Sequence, residues 1–331
     1  MSKKRFEVID FLRGLAIIIV VFTHTLAYFL SQKKIFFIWD VLHFTVPIFV
    51  FCSSYVFYQF PPHIEKEGVF NYFKKRLLRL LIPYWIFLIP LFLLTKIYEP
   101  KKINLTELLK NITFTGGAYI SWLVLLFIYL MIFSPLIFYF YKKNRPLLIL
   151  YSVLAFISSL LFLFYSPKIN YLLTMWLPWS LLIIFSFYFA DQEKKKAFFL
   201  KTIFLSLLVF FLLRYVLSLN HHTLVLQYNK YPPNLYYLSY GAFWISFLYF
   251  FYQKVFFRFS LVNRCLVFFS RSSYEIFFSH FLVIYVVSLS KYYKHLNYLT
   301  FSLVVFVITI IVQLVLNYIK EVSSKRLTIV T

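Results

Sequence analysis

Negative charge is scarce in this chain: 11 Asp and Glu among 331 residues, against 34 Lys and Arg. Charge of either sign is thin, at 14% of residues, whereas 62% are hydrophobic and 24% aromatic. One water-soluble core cannot hide so much apolar surface, so a soluble globular domain is excluded and a bilayer is expected as solvent. In a soluble protein a net charge of +23 would suit nucleic-acid binding, but here the basic residues sit in short clusters between long apolar runs, where they orient spans. No nucleic acid is expected as partner. The two cysteines, Cys52 and Cys265, fall in or beside apolar segments without metal-ligand spacing, which excludes a disulfide framework and gives no metal site. With five glycines and no visible internal repeat, the repeat architecture of many transporters is not in view. The apolar run after Lys3, Lys4 and Arg5 is too long for a signal-peptide core, so a retained first helix is expected.

A span needs about 20 mostly apolar residues. Ten segments qualify, at 8–30, 36–59, 80–97, 119–140, 147–165, 171–190, 197–219, 233–253, 272–290 and 298–319. The expected fold is an all-α polytopic membrane protein, a single membrane-embedded domain over 1–331 with no separate soluble domain. If the chain starts inside, 21 basic residues fall in inner loops and nine in outer ones. The inner set includes Lys74 to Arg79, Lys142 to Arg145, Lys194 to Lys196, and the loop with Arg258, Arg264 and Arg271. That bias predicts both termini in the cytoplasm and a multi-pass protein of the cell membrane. The longest outer connections, 98–118 and 220–232, are too short to fold as domains, so any chemistry must use the bundle or its rims.

Ionisable groups inside spans are costly and by default face a polar interior. Here they are Asp10, Arg13 and His24 in the first span, Asp40 and His43 in the second, Lys201 and Arg214 in the seventh, and Glu275 and His280 in the ninth. Arg13 and His24 are eleven residues apart, close to three helical turns, so they share a face roughly 16 Å apart along the axis. Asp10, three residues before Arg13, is expected to pair with it. The competing reading is that Arg13 and Asp10 snorkel to the inner interface and His24 bonds a neighbouring helix. A histidine deep in an apolar span has the chemistry of a general base at neutral pH. Asp40 and His43, near the outer end of the second span, would meet an acceptor or orient His24, or serve only the interface. Glu275 and His280, five apart, are badly spaced for contact and are not paired. The aromatic segment 221–237 receives no role, because interfacial belts explain it as well as sugar stacking does.

These residues resemble a family. "IDFLRGLAIIIVVFTH" is similar to the opening of the acyltransferase 3 family of integral-membrane acyltransferases, whose first helix carries Arg, ten residues, then His; Arg13 and His24 meet that pattern. In the family's order follow "VPIFVFCSSYVF" (46–57), "KKRLLRLLIPYW" (74–85), "SWLVLLFIYLMIFSPLI" (121–137) and "SSYEIFFSHFLVI" (272–284). Ser54 stands where a glycine is usual, and no glycine precedes the late Ser-Tyr pair. The resemblance implies transfer of an acyl group, often acetyl, from a cytoplasmic acyl-CoA to a hydroxyl of a glycan or lipid-linked sugar. No permanently bound cofactor is implied. His24 would act as base, and Arg13, Arg76 and Arg79 would hold the donor's phosphates at the inner rim, with Pro83 and Tyr84 opening the third helix beside them. Taken alone, the basic cluster reads as a contact to anionic lipid. His280 enters through the resemblance. The alternatives are a glycan or lipid transporter or flippase using the same polar residues, and a structural subunit of an envelope-polymer assembly.

Overall fold

The structure, a computed structural model, describes residues 7–62, 68–99, 105–115, 120–165, 167, 170–192, 195–255, 259–290 and 295–330, with the backbone alone at 105, 196 and 324–330. Lys3, Lys4, Arg5, Lys66, Lys101, Lys102, Lys168, Lys194, Arg258, Lys291 and Lys294 of the charge count lie outside the described residues, as do the side chains of Lys196, Lys325 and Arg326.

Among the described residues every regular element is helical: α1 (Glu7–Leu26), α2 (Lys33–Val41), α3 (Thr45–Gln59), α4 (Val69–Tyr98), α5 (Leu105–Ile112), α6 (Ser121–Lys143), α7 (Arg145–Leu161), α8 (Tyr171–Thr174), α9 (Trp176–Gln192), α10 (Lys196–Leu219), α11 (Leu235–Lys254), α12 (Ser260–Arg271), α13 (Ser273–Leu289) and α14 (Tyr298–Val330). They gather into two compact units, one of residues 1–42 and 258–331 and the other of 43–257.

Seven helical segments among the described residues are long and apolar enough to cross a membrane, and the pair α12 and α13, bent by 76°, makes an eighth if it is one span. Each of the ten expected segments is helical. The two that fall short are α7, with 17 residues, and α11, whose five tyrosines lower its hydropathy. Asn144 caps α7 by accepting from the Leu147 N–H, and Asn234 caps α11 through the Tyr237 N–H, which fixes both starts.

One expectation is corrected, and two connections prove to carry helices. Pro83 and Tyr84 do not open the third span: α4 starts at Val69 and carries Pro83 and Pro90 inside its 30 residues. Proline removes one helical hydrogen bond, which neighbouring groups within a membrane re-satisfy, so it does not end the helix there. The inner loop around Arg264 and Arg271 is largely α12, an amphipathic helix that buries Leu266 and Ser270. The connection 98–118 holds α5. Exposed Ile86, Ile89 and Leu93 on α4 and Ile311 and Leu314 on α14 are what lipid-facing helix sides require.

In the first unit α1 packs along α12, α13 and α14. Its contact with α12 needs Gly14, because a Cβ there would lie 2.3 Å from the Leu266 carbonyl oxygen. Polar side chains bond between these helices near both ends of α1: Ser270 donates to Asp10 at 2.6 Å at one end, and at the other Thr25 meets Ser302 at 2.8 Å and His24 meets His280. In the second unit α10 packs along α11, and α9 along α3, α6 and α7.

Candidate functional site

The site of the first unit is built on α1 and α13. Because α1 is unbroken from Glu7 to Leu26, the eleven-residue spacing does place Arg13 and His24 about three turns apart on one helix. His24 Nδ1 lies 2.8 Å from His280 Nε2. The two ring planes are within 15° and their centroids 5.1 Å apart, the arrangement of two nearly coplanar imidazoles joined nitrogen to nitrogen. Phe281 packs against both rings, at 4.5 Å from His24 and 4.3 Å from His280.

His280 is fully buried, and its other nitrogen, Nδ1, is 2.9 Å from the Ile276 carbonyl oxygen one turn earlier. A carbonyl only accepts, so Nδ1 must carry a proton and donate it. Among the described residues no carboxylate lies within hydrogen-bond reach to offset an imidazolium at that depth, so the ring is assigned as neutral and Nε2 as its lone-pair nitrogen. That lone pair accepts from His24 Nδ1–H. In a neutral His24 the lone pair is then on Nε2. A main-chain carbonyl thus sets the tautomer of a histidine on another helix. Glu275, as expected, does not contact His280; it accepts from Gln313 at 2.8 Å and pairs with Lys320, both on α14.

The expected pair of Asp10 with Arg13 is not formed. Asp10 accepts from Ser270 instead, because α12 comes close over Gly14 and brings a hydroxyl to the carboxylate. Among the described residues no carboxylate pairs with Arg13, a half-buried cation within an apolar helix. Asp40 is half-buried near the end of α2.

The other expected residues belong to the second unit. The Arg76 guanidinium lies 4.2 Å from the centroid of the buried Tyr72 ring, and Arg79, three residues on, is exposed. Tyr84 does not join them. Buried in the middle of α4, it donates to the Asn111 carbonyl at 3.0 Å and so holds α5. His43 is buried, and its carbonyl accepts from Tyr237 at 2.9 Å. Arg214 donates to Tyr236 at 2.9 Å. No group of three or more His, Cys, Asp or Glu among the described residues is placed to hold a metal ion.

Sequence reasoning missed two features. One is Ser270 with Gly14, for which the glycine directly after Arg13 is the available signal. The other is Asp191 at the end of α9, which accepts from Tyr141 at 2.6 Å and from Tyr58, while Lys142 donates to Tyr58 and Arg145 lies 4.6 Å over Tyr141. This network ties together α3, α6, α7 and α9.

Helices long and apolar enough to span, with a histidine pair between two helices of the first unit, define the class, a multi-pass membrane protein. The chain belongs to the acyltransferase 3 family: the model of that family's acyltransferase domain matches residues 6–318, across both compact units. Comparison with curated proteins and with solved structures returned no match.

Proposed function

We propose that this membrane acyltransferase is an O-acyltransferase, moving an acyl group, acetyl in the first instance, from a cytoplasmic acyl-CoA to a hydroxyl of a glycan or lipid-linked sugar. The observation that carries the reading is the His24–His280 pair, whose hydrogen bonds make His24 Nε2 the proton-accepting nitrogen. In the proposed reaction His24 takes the hydroxyl proton as the oxygen attacks the thioester carbonyl. A C–O bond forms, the C–S bond breaks, and the proton passes from His24 to the departing thiolate. His280 touches no reacting atom and is a positioning residue. Arg13, Arg76 and Arg79 supply cations for the donor's phosphates. Asp40 and His43 stand on the acceptor side of the proposal. The ester-forming chemistry needs no resident cofactor.

The same reading makes the whole chain one acyltransferase domain in the cell membrane, with ten spans and both termini cytoplasmic. The excess of basic residues in the proposed inner loops supports that orientation. α7 and α11 are the two further crossings it requires.

The experiment uses the full chain in proteoliposomes with labelled acetyl-CoA, and mass spectrometry of glycans from cells with and without the gene to find the acceptor. Removing a positioned base costs about 10²–10⁴-fold in rate. His24→Ala and His24→Gln are both expected to lose activity to that extent while still inserting, since glutamine bonds but does not take the proton. Near-normal transfer by His24→Gln overturns the role of His24. A wild type that consumes no acyl-CoA overturns the enzyme reading in favour of a transporter.

A further inference from the structure

The second unit holds a cavity of about 710 Å³, between α7, α9, α10 and α11, within the ~300–1,000 Å³ range of small-molecule sites. Its wall residues Phe156, Tyr188 and Leu205 are each about half exposed, so it opens on the apolar surface of the unit. Lys195 and Lys201 line it, and no acidic residue among the described residues does.

The polar groups this cavity leaves open to a ligand are the two lysines. Thr202, Ser206 and Ser239 also line it, but each hydroxyl donates to a carbonyl of its own helix, at 2.7, 2.6 and 2.9 Å. The walls therefore present hydrocarbon together with two ammonium groups, and among the described residues neither ammonium has a hydrogen bond or ion pair. Lys201 lies within the apolar segment Ala197–Leu219, where a cation without a counter-charge is costly. The lining runs from Lys195, the residue before α10, to Val209, a rise of about 21 Å over fourteen residues, with Lys201 six residues after Lys195. One leaflet is about 15 Å of hydrocarbon. An apolar slot of that depth, open toward lipid and carrying in its first half two cations with no partner among the described residues, matches one lipid of one leaflet.

We infer that this cavity is a binding site for an anionic phospholipid, its phosphate held by Lys195 and Lys201 and one acyl chain lying along α10 against Leu238 and Ala242. The site assigns Lys201, which the acyl-transfer reading does not use. It does not depend on that reading, because it rests on a cavity in the second unit and not on His24.

The test is lipid titration of the full chain in an uncharged detergent, followed by melting temperature and by native mass spectrometry. Dioleoylphosphatidylglycerol is expected to raise the melting temperature and to be retained as a bound mass, whereas dioleoylphosphatidylcholine is not. Each lysine near an anionic headgroup is worth about a five-fold change in affinity, so Lys195→Gln with Lys201→Gln should weaken the phosphatidylglycerol effect about 25-fold. Both lysines are exposed, so the double variant should fold, and its melting temperature without added lipid checks that. Ala242→Phe should fill the slot and lose the bound mass with the lysines intact. Glycerol 3-phosphate, the headgroup without chains, should give no shift. Equal retention of the two lipids, an unaltered titration in the double variant, or a full shift with glycerol 3-phosphate would overturn the site. Displacement of the bound lipid by equimolar palmitoyl-CoA would overturn the assignment in favour of a long-chain donor.

Discussion

His280→Leu is the sharpest perturbation of the proposed chemistry, because it removes a hydrogen-bond acceptor and leaves His24 in place. Leucine fills much of the buried volume but offers nothing to His24 Nδ1–H, which now faces Nε2 of His280 at 2.8 Å. A donor buried without its acceptor costs about 1–3 kcal/mol. His24 avoids part of that cost by moving its proton to Nε2 or turning its ring, and either change removes the lone pair from the reacting position. At ~1.4 kcal/mol per factor of ten, the population in the productive tautomer falls between about 5- and 150-fold. We therefore expect a loss of roughly 10- to 100-fold in kcat for acetyl-CoA turnover in proteoliposomes, followed as free thiol. The KM for acetyl-CoA should stay within about twofold, since His280 is not proposed to bind donor. His280→Gln, whose side-chain carbonyl can accept from Nδ1–H, should recover most of the rate. Combining His280→Leu with His24→Gln should lower the rate no further than His24→Gln alone, because the two residues act as one unit. A kcat within twofold of wild type for His280→Leu would refute the tautomer argument. So would equal losses in the leucine and glutamine variants.

Gly14→Ala should destabilise the protein by about 1–3 kcal/mol, since a Cβ 2.3 Å from the Leu266 carbonyl forces α12 away from α1. Helix propensity alone predicts the opposite sign, about 1 kcal/mol of gain, so a higher melting temperature would refute the close approach. Lys230 is buried outside the spans between the rings of Trp122, at 4.6 Å, and Tyr231, at 5.1 Å, and burial lowers its pKa from 10.5 to about 7. The unfolded chain keeps the lysine proton up to pH ~10.5 and the folded chain only below about 7, so the penalty is full below pH 7 and fades as pH rises to 10.5. At ~1.4 kcal/mol per pKa unit that penalty is at most about 5 kcal/mol. Lys230→Met should raise the melting temperature at pH 6.5 and have little effect near pH 10, and a loss of stability at pH 6.5 would refute it. Asp191→Leu removes the acceptor shared by Tyr58 and Tyr141 and should lower the melting temperature by an amount worth about 1–3 kcal/mol, while leaving turnover per folded molecule within twofold. A melting temperature equal to wild type would show that the network carries no stability.

The helices were legible where apolarity is continuous. α1, α6 and α10 follow their runs closely, and the eleven-residue spacing gave the shared face of Arg13 and His24 directly. α12 was not legible, because Asn263, Arg264 and Arg271 give it the polarity of a loop and its apolar stripe is too narrow to stand out without its partner α1. The start of α4 was misplaced for a related reason: the basic run from Lys74 to Arg79 reads as rim, and Pro83 as a helix start, although the helix runs through both. The contact of His24 with His280 joins residues 256 apart in sequence, and helical spacing carries no information across that distance. The count of ionisable groups in spans includes His280, and only the resemblance gave it a place in the site. The pairing of Asp10 with Arg13 failed because spacing counts neighbours on one helix and cannot see a hydroxyl arriving from another.

The scarcity of acidic residues shapes what the polar groups of this chain can bind. Three carboxylates of the apolar helices are already used inside the protein: Asp10 by Ser270, Asp191 by two tyrosines, and Glu275 by Lys320 and Gln313. Arg214, among the intramembrane cations, is satisfied without a carboxylate by Tyr236. Arg13 and Lys201 receive neither kind of partner among the described residues. A cation within an apolar helix and without a counter-charge is tolerated in a membrane protein when an anion from outside completes the site. The two unmatched cations lie in different units, one on the helix of His24 and the other on the wall of an apolar slot. The chemistry that would complete them is the same, a phosphate, and its two proposed carriers differ in what is attached: a thioester beside a general base, and an acyl chain beside hydrocarbon. Neutralising Arg13 should therefore weaken acyl-donor use without changing phosphatidylglycerol retention, and neutralising Lys201 should do the reverse. Loss of both properties in either single variant would show that one anion site, not two, accounts for these cations.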